Sequence, residues 1–137
     1  MILLDTHVAI WLVADPARLS RAARQRITRA LRSDQPEPGL AIASITLWEA
    51  ALLVERGHVV VRGAHGTEAA VGRVVKEAGL QVLPLTVRAA AVAAALPRAF
   101  PRDPADRLIA ATALAEGLEL VTSDKPIRDS GAVDAIW

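Results

Sequence analysis

The feature that most constrains this chain is an alternation of short, unbroken apolar runs with stretches whose apolar residues recur at helical intervals. Ile2, Leu3 and Leu4 form such a run, closed by Asp5, and helical spacing takes over from Thr6. Leu40 to Ala43 forms a second, followed by a segment carrying Trp48, Glu49 and Leu52 toward Gly57. Apolar runs without polar alternation suit strands buried on both faces, and parallel strands need helical crossovers to reach their neighbours. The pattern predicts an α/β fold around a mostly parallel sheet.

The rest of the chain continues the theme. From Ser20, a good N-cap residue, Ala23, Ile27, Ala30 and Leu31 repeat at helical spacing until the proline-containing stretch Ser33 to Gly39, read as a loop. Either Ser44 or Thr46 can cap the helix that bears Glu49. Residues 58 to 66, with Val59 to Val61 between Gly57 and Gly63, fit no single element. Thr67 to Ala78 reads as a helix with Gly79 as its C-cap, and Gln81 to Leu85 as a strand. Thr86 caps an alanine-rich helix ending near Leu96, and Pro97 to Pro101 enforces a turn. Asp103 and Pro104 then start a helix, as N-cap and first residue, that runs to Gly117. Glu119 to Thr122 and Ala135 to Trp137 are the last expected strands. A chain of 137 residues, 53% hydrophobic and 23% charged, fits a single folded domain over residues 1–137 and excludes disorder as its main character.

Composition also restricts the chemistry. Cysteine is absent, so disulfide scaffolds and thiolate zinc sites are excluded, and only carboxylates and three histidines remain as metal ligands. The apolar opening is interrupted by Asp5 and lacks a basic start, so it resembles neither a signal peptide nor a membrane span; the expected location is cytoplasmic, away from membranes. Aromatic residues are 3% of the chain (Trp11, Trp48, Phe100 and Trp137), which argues against an RNA-binding surface built on stacked rings. Net charge is +1, so a nucleic-acid partner would have to be recognised by local arrangement. Arg18, Arg21, Arg24, Arg26, Arg29 and Arg32 lie in a stretch without acids. They are either a solvated helix face or an electrostatic guide for a phosphate backbone.

In parallel α/β sheets, functional groups collect beyond the C-terminal ends of the strands. Asp5 ends the first strand, Asp124 follows the strand ending at Thr122, Glu49 lies early in a helix entered from a strand, and Asp103 and Asp106 open another helix. Two carboxylates about 4 Å apart repel by roughly 4 kcal/mol at an effective dielectric near 20, so an acidic cluster calls for protons or cations. All-oxygen ligands favour magnesium or manganese, and such a site suits phosphodiester hydrolysis. Each acid also has a structural explanation. Thr46-x-x-Glu49 is a capping-box pattern, Asp103 is an N-cap, Asp106 sits at the positive end of its helix, and Asp124 precedes Lys125-Pro126 as a turn residue would. Asp5 is the hardest to explain this way, because a charge ending an apolar strand risks burial without a partner. His7, beside Ile10 and Trp11 on a helix, reads as a packed or half-exposed side chain, and His58 and His65 carry no assigned role.

Four segments in order, Leu3-Leu4-Asp5-Thr6-His7 with Trp11, Ser44-Ile45-Thr46-Leu47-Trp48-Glu49, Asp103-Pro104-Ala105-Asp106-Arg107-Leu108-Ile109-Ala110-Ala111-Thr112-Ala113, and Thr122-Ser123-Asp124, resemble PIN domains, specifically the VapC-type toxins of prokaryotic toxin-antitoxin pairs. The resemblance spans nearly the whole chain. It implies a three-layer α/β/α sandwich and a magnesium- or manganese-dependent ribonuclease that forms a homodimer and is inhibited by a cognate antitoxin. Its acidic ligands would be Asp5, Glu49, Asp106 and Asp124, with Asp103 a cap or auxiliary ligand and Thr6 and Ser123 hydrogen-bonding partners of the ligands. The chain departs from the related subgroup at Leu53, where a Lys is common, and at Pro101, where a His is common.

Two other functions compete. An aspartate-nucleophile phosphatase also places an Asp at the end of a first strand, but it asks for a second Asp two residues later, where His7 stands. A non-catalytic interaction module could use an acidic pocket to bind an arginine of a partner protein.

Overall fold

A computed structural model of the chain describes residues 1–32, 34 and 39–137. Most of the expected loop from Ser33 to Gly39 therefore lies outside the described residues. The elements run β1 (Ile2–Leu4), α1 (Thr6–Ala14), α2 (Arg21–Ala30), β2 (Leu40–Ala43), α3 (Ser44–Glu55), α4 (Thr67–Glu77), β3 (Leu80–Leu83), α5 (Val87–Ala95), α6 (Pro104–Glu116), β4 (Leu120–Val121), α7 (Lys125–Asp129) and β5 (Ala135–Ile136). The strands form one sheet in the order β3-β2-β1-β4-β5. All four pairings are parallel, so the sheet is wholly rather than mostly so.

Side chains alternate across a strand, and this period divides the core in two. Ile2, Leu4, Leu40, Ile42 and Val121 face the layer that includes Val8 of α1, Ile27 of α2 and Val74 of α4. Leu3, Ala41, Ala43 and Leu120 face the opposite layer, where Phe100, Ile127 and Ile109 of α6 pack. The result is an α/β/α sandwich whose strands read as continuous apolar runs because both faces are covered.

Several boundaries differ from expectation for local reasons. β3 begins at Leu80 and ends at Leu83, because its register is set by pairing Leu40 with Leu80 and Ala43 with Leu83; Pro84 follows that last pair. α4 takes Ala78 as its cap, with Gly79 just beyond in the left-handed region at φ 59°, where a glycine costs least. α3 starts directly from the strand with Ala43 at its cap position and no side-chain cap, so neither Ser44 nor Thr46 does that work. The expected turn at Asp124 is instead the N-cap of α7. Residues 58–66 form no regular element, yet Val61 is buried in the first core layer and anchors the segment.

Within this topology β1 is the switch point, since β2 leaves it on one side and β4 on the other. A crevice opens beyond the C-terminal end of a sheet at such a point, and here Asp5 and Asp124 stand on its two flanks. Among the described residues no helix is long and apolar enough to cross a membrane.

Candidate active site

Asp5 stands where β1 becomes α1. Its Oδ1 accepts the Thr6 backbone N–H at 2.7 Å, capping the helix, and its Oδ2 accepts the Thr122 hydroxyl at 2.6 Å. The carboxylate is 6% exposed. Burial raises its pKa, while the bonds from Thr122 and Thr6 partly oppose that rise.

Glu49 comes from the second turn of α3. The Thr6 hydroxyl donates to its Oε2 at 2.5 Å and is also hydrogen-bonded to the Thr46 hydroxyl at 3.3 Å. The capping-box reading of Thr46 and Glu49 is thereby overturned: Glu49 reaches across to α1, and Thr46 supports the residue that holds it. Burial raises the Glu49 pKa against the Thr6 bond, and the charges of Asp5 and Asp103 add to the rise.

Asp103 caps α6, accepting from the N–H groups of Ala105 at 2.8 Å and Asp106 at 3.3 Å. Asp106 lies one turn further in and faces the other acids. Its pKa is pushed up to about 7, first by burial and then by the charges of Asp5, Asp103, Asp124 and Glu49. The adjacent Arg107 gives no relief, because its guanidinium donates to the carbonyls of Ala93, Leu96 and Pro101, where α5 ends and the following turn packs.

Asp124 caps α7 by accepting the Ile127 N–H at 2.8 Å, and its own N–H donates to the Thr122 hydroxyl at 3.0 Å. Thr122 therefore ties Asp5 to Asp124 through one hydroxyl. This residue was not singled out from the sequence; its signal is a hydroxyl on a β-branched residue at the end of an apolar run, two positions before an acid. Ser123 lines the cleft, but the hydroxyl bonded to Asp5 belongs to Thr122.

Asp5, Glu49, Asp106 and Asp124 thus line one cleft of about 420 Å³, with Thr6 and Ser123 in its wall. Asp103 opens instead onto the neighbouring groove beside Trp48 and Leu52, which shares His7 and Glu49 with the cleft. Among the described residues no three Asp, Glu or His side chains close into a ready cage for a metal ion. The donor set nevertheless fits magnesium or manganese. Magnesium takes one or two carboxylates and keeps several waters, and here carboxylates share a cleft in which Asp106 holds its proton up to about pH 7. Of the basic groups in the wall, Lys125 is paired with Asp129 and Arg18 lies over the Trp11 ring.

An all-parallel α/β/α sandwich with carboxylates gathered at its switch point defines a class of acid-site α/β domains. The chain matches the PIN domain family over residues 2–131, and it belongs to that family. It is 41% identical over 127 residues to Ribonuclease VapC22 of Mycobacterium tuberculosis, covering 93% of this chain and 89% of that protein. In fold it is similar to VapBC2 of Rickettsia felis, solved bound to a DNA fragment from its promoter, with TM-score 0.71 and 16% identity over 99% of this chain and 98% of the other. It is also similar to a toxin-antitoxin complex from Klebsiella pneumoniae, with TM-score 0.65 and 22% identity over 100% and 97% of the two chains.

Proposed function

We propose that the protein is a metal-dependent endoribonuclease of the toxin type, which hydrolyses RNA phosphodiester bonds and is neutralised by a cognate antitoxin. The observation that carries this reading is the shared cleft of Asp5, Glu49, Asp106 and Asp124, in which burial and the neighbouring negative charges push the Asp106 pKa up to about 7. The ribonuclease relative supports the substrate class, and the toxin-antitoxin complex of similar fold supports the partner.

In this reading Asp5, Glu49, Asp106 and Asp124 hold Mg²⁺ or Mn²⁺. The chemistry such an ion supplies when bound is polarisation of a phosphoryl oxygen, activation of water and stabilisation of the leaving oxygen. The protein residues do the positioning. Thr122 fixes Asp5, Thr6 aims Glu49 into the cleft, and Thr46 in turn supports Thr6. Glu49 and Asp124 orient the ion or the attacking water. Asp103 acts through the N-terminus of α6, fixing the helix that presents Asp106, and Ser123 is an auxiliary hydroxyl at the cleft wall. Exposed apolar side chains at a further groove, lined by Ile45, Trp48 and Leu85 with Leu108 of α6, offer a surface for a protein partner, in line with a homodimer or an antitoxin contact. The cytoplasm, where RNA substrates are made and translated, is the fitting location.

The test is cleavage of RNA by the purified protein with Mg²⁺ or Mn²⁺, its arrest by a chelator, and its loss in Asp5→Asn with the fold intact by circular dichroism. Full activity in Asp5→Asn, with contaminating nuclease excluded, refutes the assignment. Preference for small phosphomonoesters would favour the phosphatase, and failure to bind any divalent ion would favour the interaction module.

A further inference from the structure

A cleft lined by carboxylates repels the RNA backbone it is proposed to cut, so the strand needs a cationic hold close by. Arg18 and Lys125 are the arginine and lysine that line this cleft. Among the described residues Arg26 is paired with Glu119, Arg32 with Asp34 and Lys125 with Asp129. Arg107 is committed to backbone carbonyls. Arg18 has no carboxylate partner and lies in the wall of the acid cleft.

Its placement is built by the chain. After α1, residues Pro16–Arg18 make one 3₁₀ turn, in which the Arg18 N–H donates to the Asp15 carbonyl at 3.1 Å, and the next residue, Leu19, is buried at 2% exposure. That anchor folds the turn back onto α1 and sets the Arg18 guanidinium 4.2 Å from the centre of the Trp11 ring. Trp11 packs against the first core layer and is itself flanked by Trp137 at 5.9 Å and His7 at 5.6 Å. A guanidinium stacked on an indole keeps its in-plane N–H donors free while losing conformational freedom, the state in which an arginine binds phosphate best.

We propose that Arg18 is the phosphate-positioning residue of this site: it grips a backbone phosphate next to the one in the acid cleft, and Trp11 holds it there. The proposal rests on the ribonuclease reading and gives the site a specific handle on its substrate. It also assigns a role to one member of the arginine-rich stretch and to Trp11, which the sequence placed beside His7 and Ile10 on one helix.

The experiment is a salt titration of a single-stranded oligoribonucleotide binding to the full-length Asp5→Asn protein, paired with cleavage kinetics in the Asp5 background. Arg18→Ala is expected to weaken binding roughly tenfold and to reduce the slope of log K against log salt by about 0.7, the loss of one phosphate contact. In cleavage the penalty falls on KM rather than kcat. Trp11→Leu, which keeps the charge but removes its platform, is expected to weaken binding severalfold, and Trp11→Phe to restore most of it. Arg29→Ala, on the exposed side of α2, serves as the control and leaves the slope unchanged. An unchanged slope and KM in Arg18→Ala, or a loss confined to kcat, overturns the proposal. If the parent protein cleaves RNA while the slope stays fixed, the ribonuclease reading stands and the Arg18 proposal falls. If RNA binds through Arg18 but is never cut, the reverse holds.

Discussion

The arginines around α2 and the acids of the cleft are two concentrations of charge, one in sequence and one in space, and they behave oppositely. Six arginines crowd a short stretch of sequence, yet they go to different places: Arg26 of α2 turns to Glu119, Arg32 beyond the helix pairs with Asp34, and Arg18 in the turn before it folds back to Trp11. The four acids come from four distant segments, yet parallel topology delivers them to one end of one sheet. Proximity in sequence therefore says little about a shared surface, whereas position relative to the strand ends says a great deal.

The contrast breaks most sharply at Asp106. Asp106→Asn is expected to reduce RNA cleavage by at least about a hundredfold, since it removes a proposed ligand while leaving the cleft's shape. The same change should stabilise the metal-free protein by on the order of 1 kcal/mol at pH 8, a figure discounted for solvent screening of a partly exposed group. The sign follows from the pKa, which burial and neighbouring acids raise from 3.8 to about 7 in the folded chain. Between those values the folded state binds the proton more tightly than the unfolded state. Stability from this group is thus full below about pH 4 and lost as pH rises through 7. Thermal melts at pH 5 and pH 8 check it: the wild type should lose more stability on going to pH 8 than Asp106→Asn does, and Mn²⁺ should restore the wild type only.

A smaller effect is expected one step back from the acids. Thr6→Val keeps the volume of the side chain but removes the hydroxyl bonded to Glu49, and a loss of about 10- to 100-fold in divalent affinity or cleavage should follow. Equal activity in Thr6→Val would mean that Glu49 is aimed by packing alone. The smallest effect belongs to the other region. Arg26→Ala removes a half-exposed ion pair with Glu119 and should cost less than about 1 kcal/mol in denaturant unfolding, with cleavage unaltered.

Much of the fold was legible because β1, β2 and β4 are buried on both faces and so carry no polar alternation. β3 was placed less well: its pattern is mixed, with Gln81 and Val82 exposed at the sheet edge, and pairing with β2 rather than hydropathy sets its limits. α7 was missed because five residues are too few to show helical periodicity, and its signals, Asp124 with Pro126, are equally those of a turn. The convergence of the acids was legible from topology. The work of individual side chains was less so. Asp124 both caps a helix and lines the cleft, Asp103 caps a helix and opens onto the neighbouring groove, and Glu49 follows the pattern of a capping box that the fold does not form. Thr122 acquires its importance only when β4 lies beside β1.

The central claim, that these acids form one cation site, is tested most directly by calorimetric titration of Mn²⁺ into the wild-type protein at pH 7, with Asp5→Asn and Asp106→Asn in parallel. The account predicts saturable uptake accompanied by proton release in the wild type and loss of that uptake in both variants. Uptake that persists undiminished in both variants, or no uptake by the wild type at millimolar Mn²⁺, would contradict it.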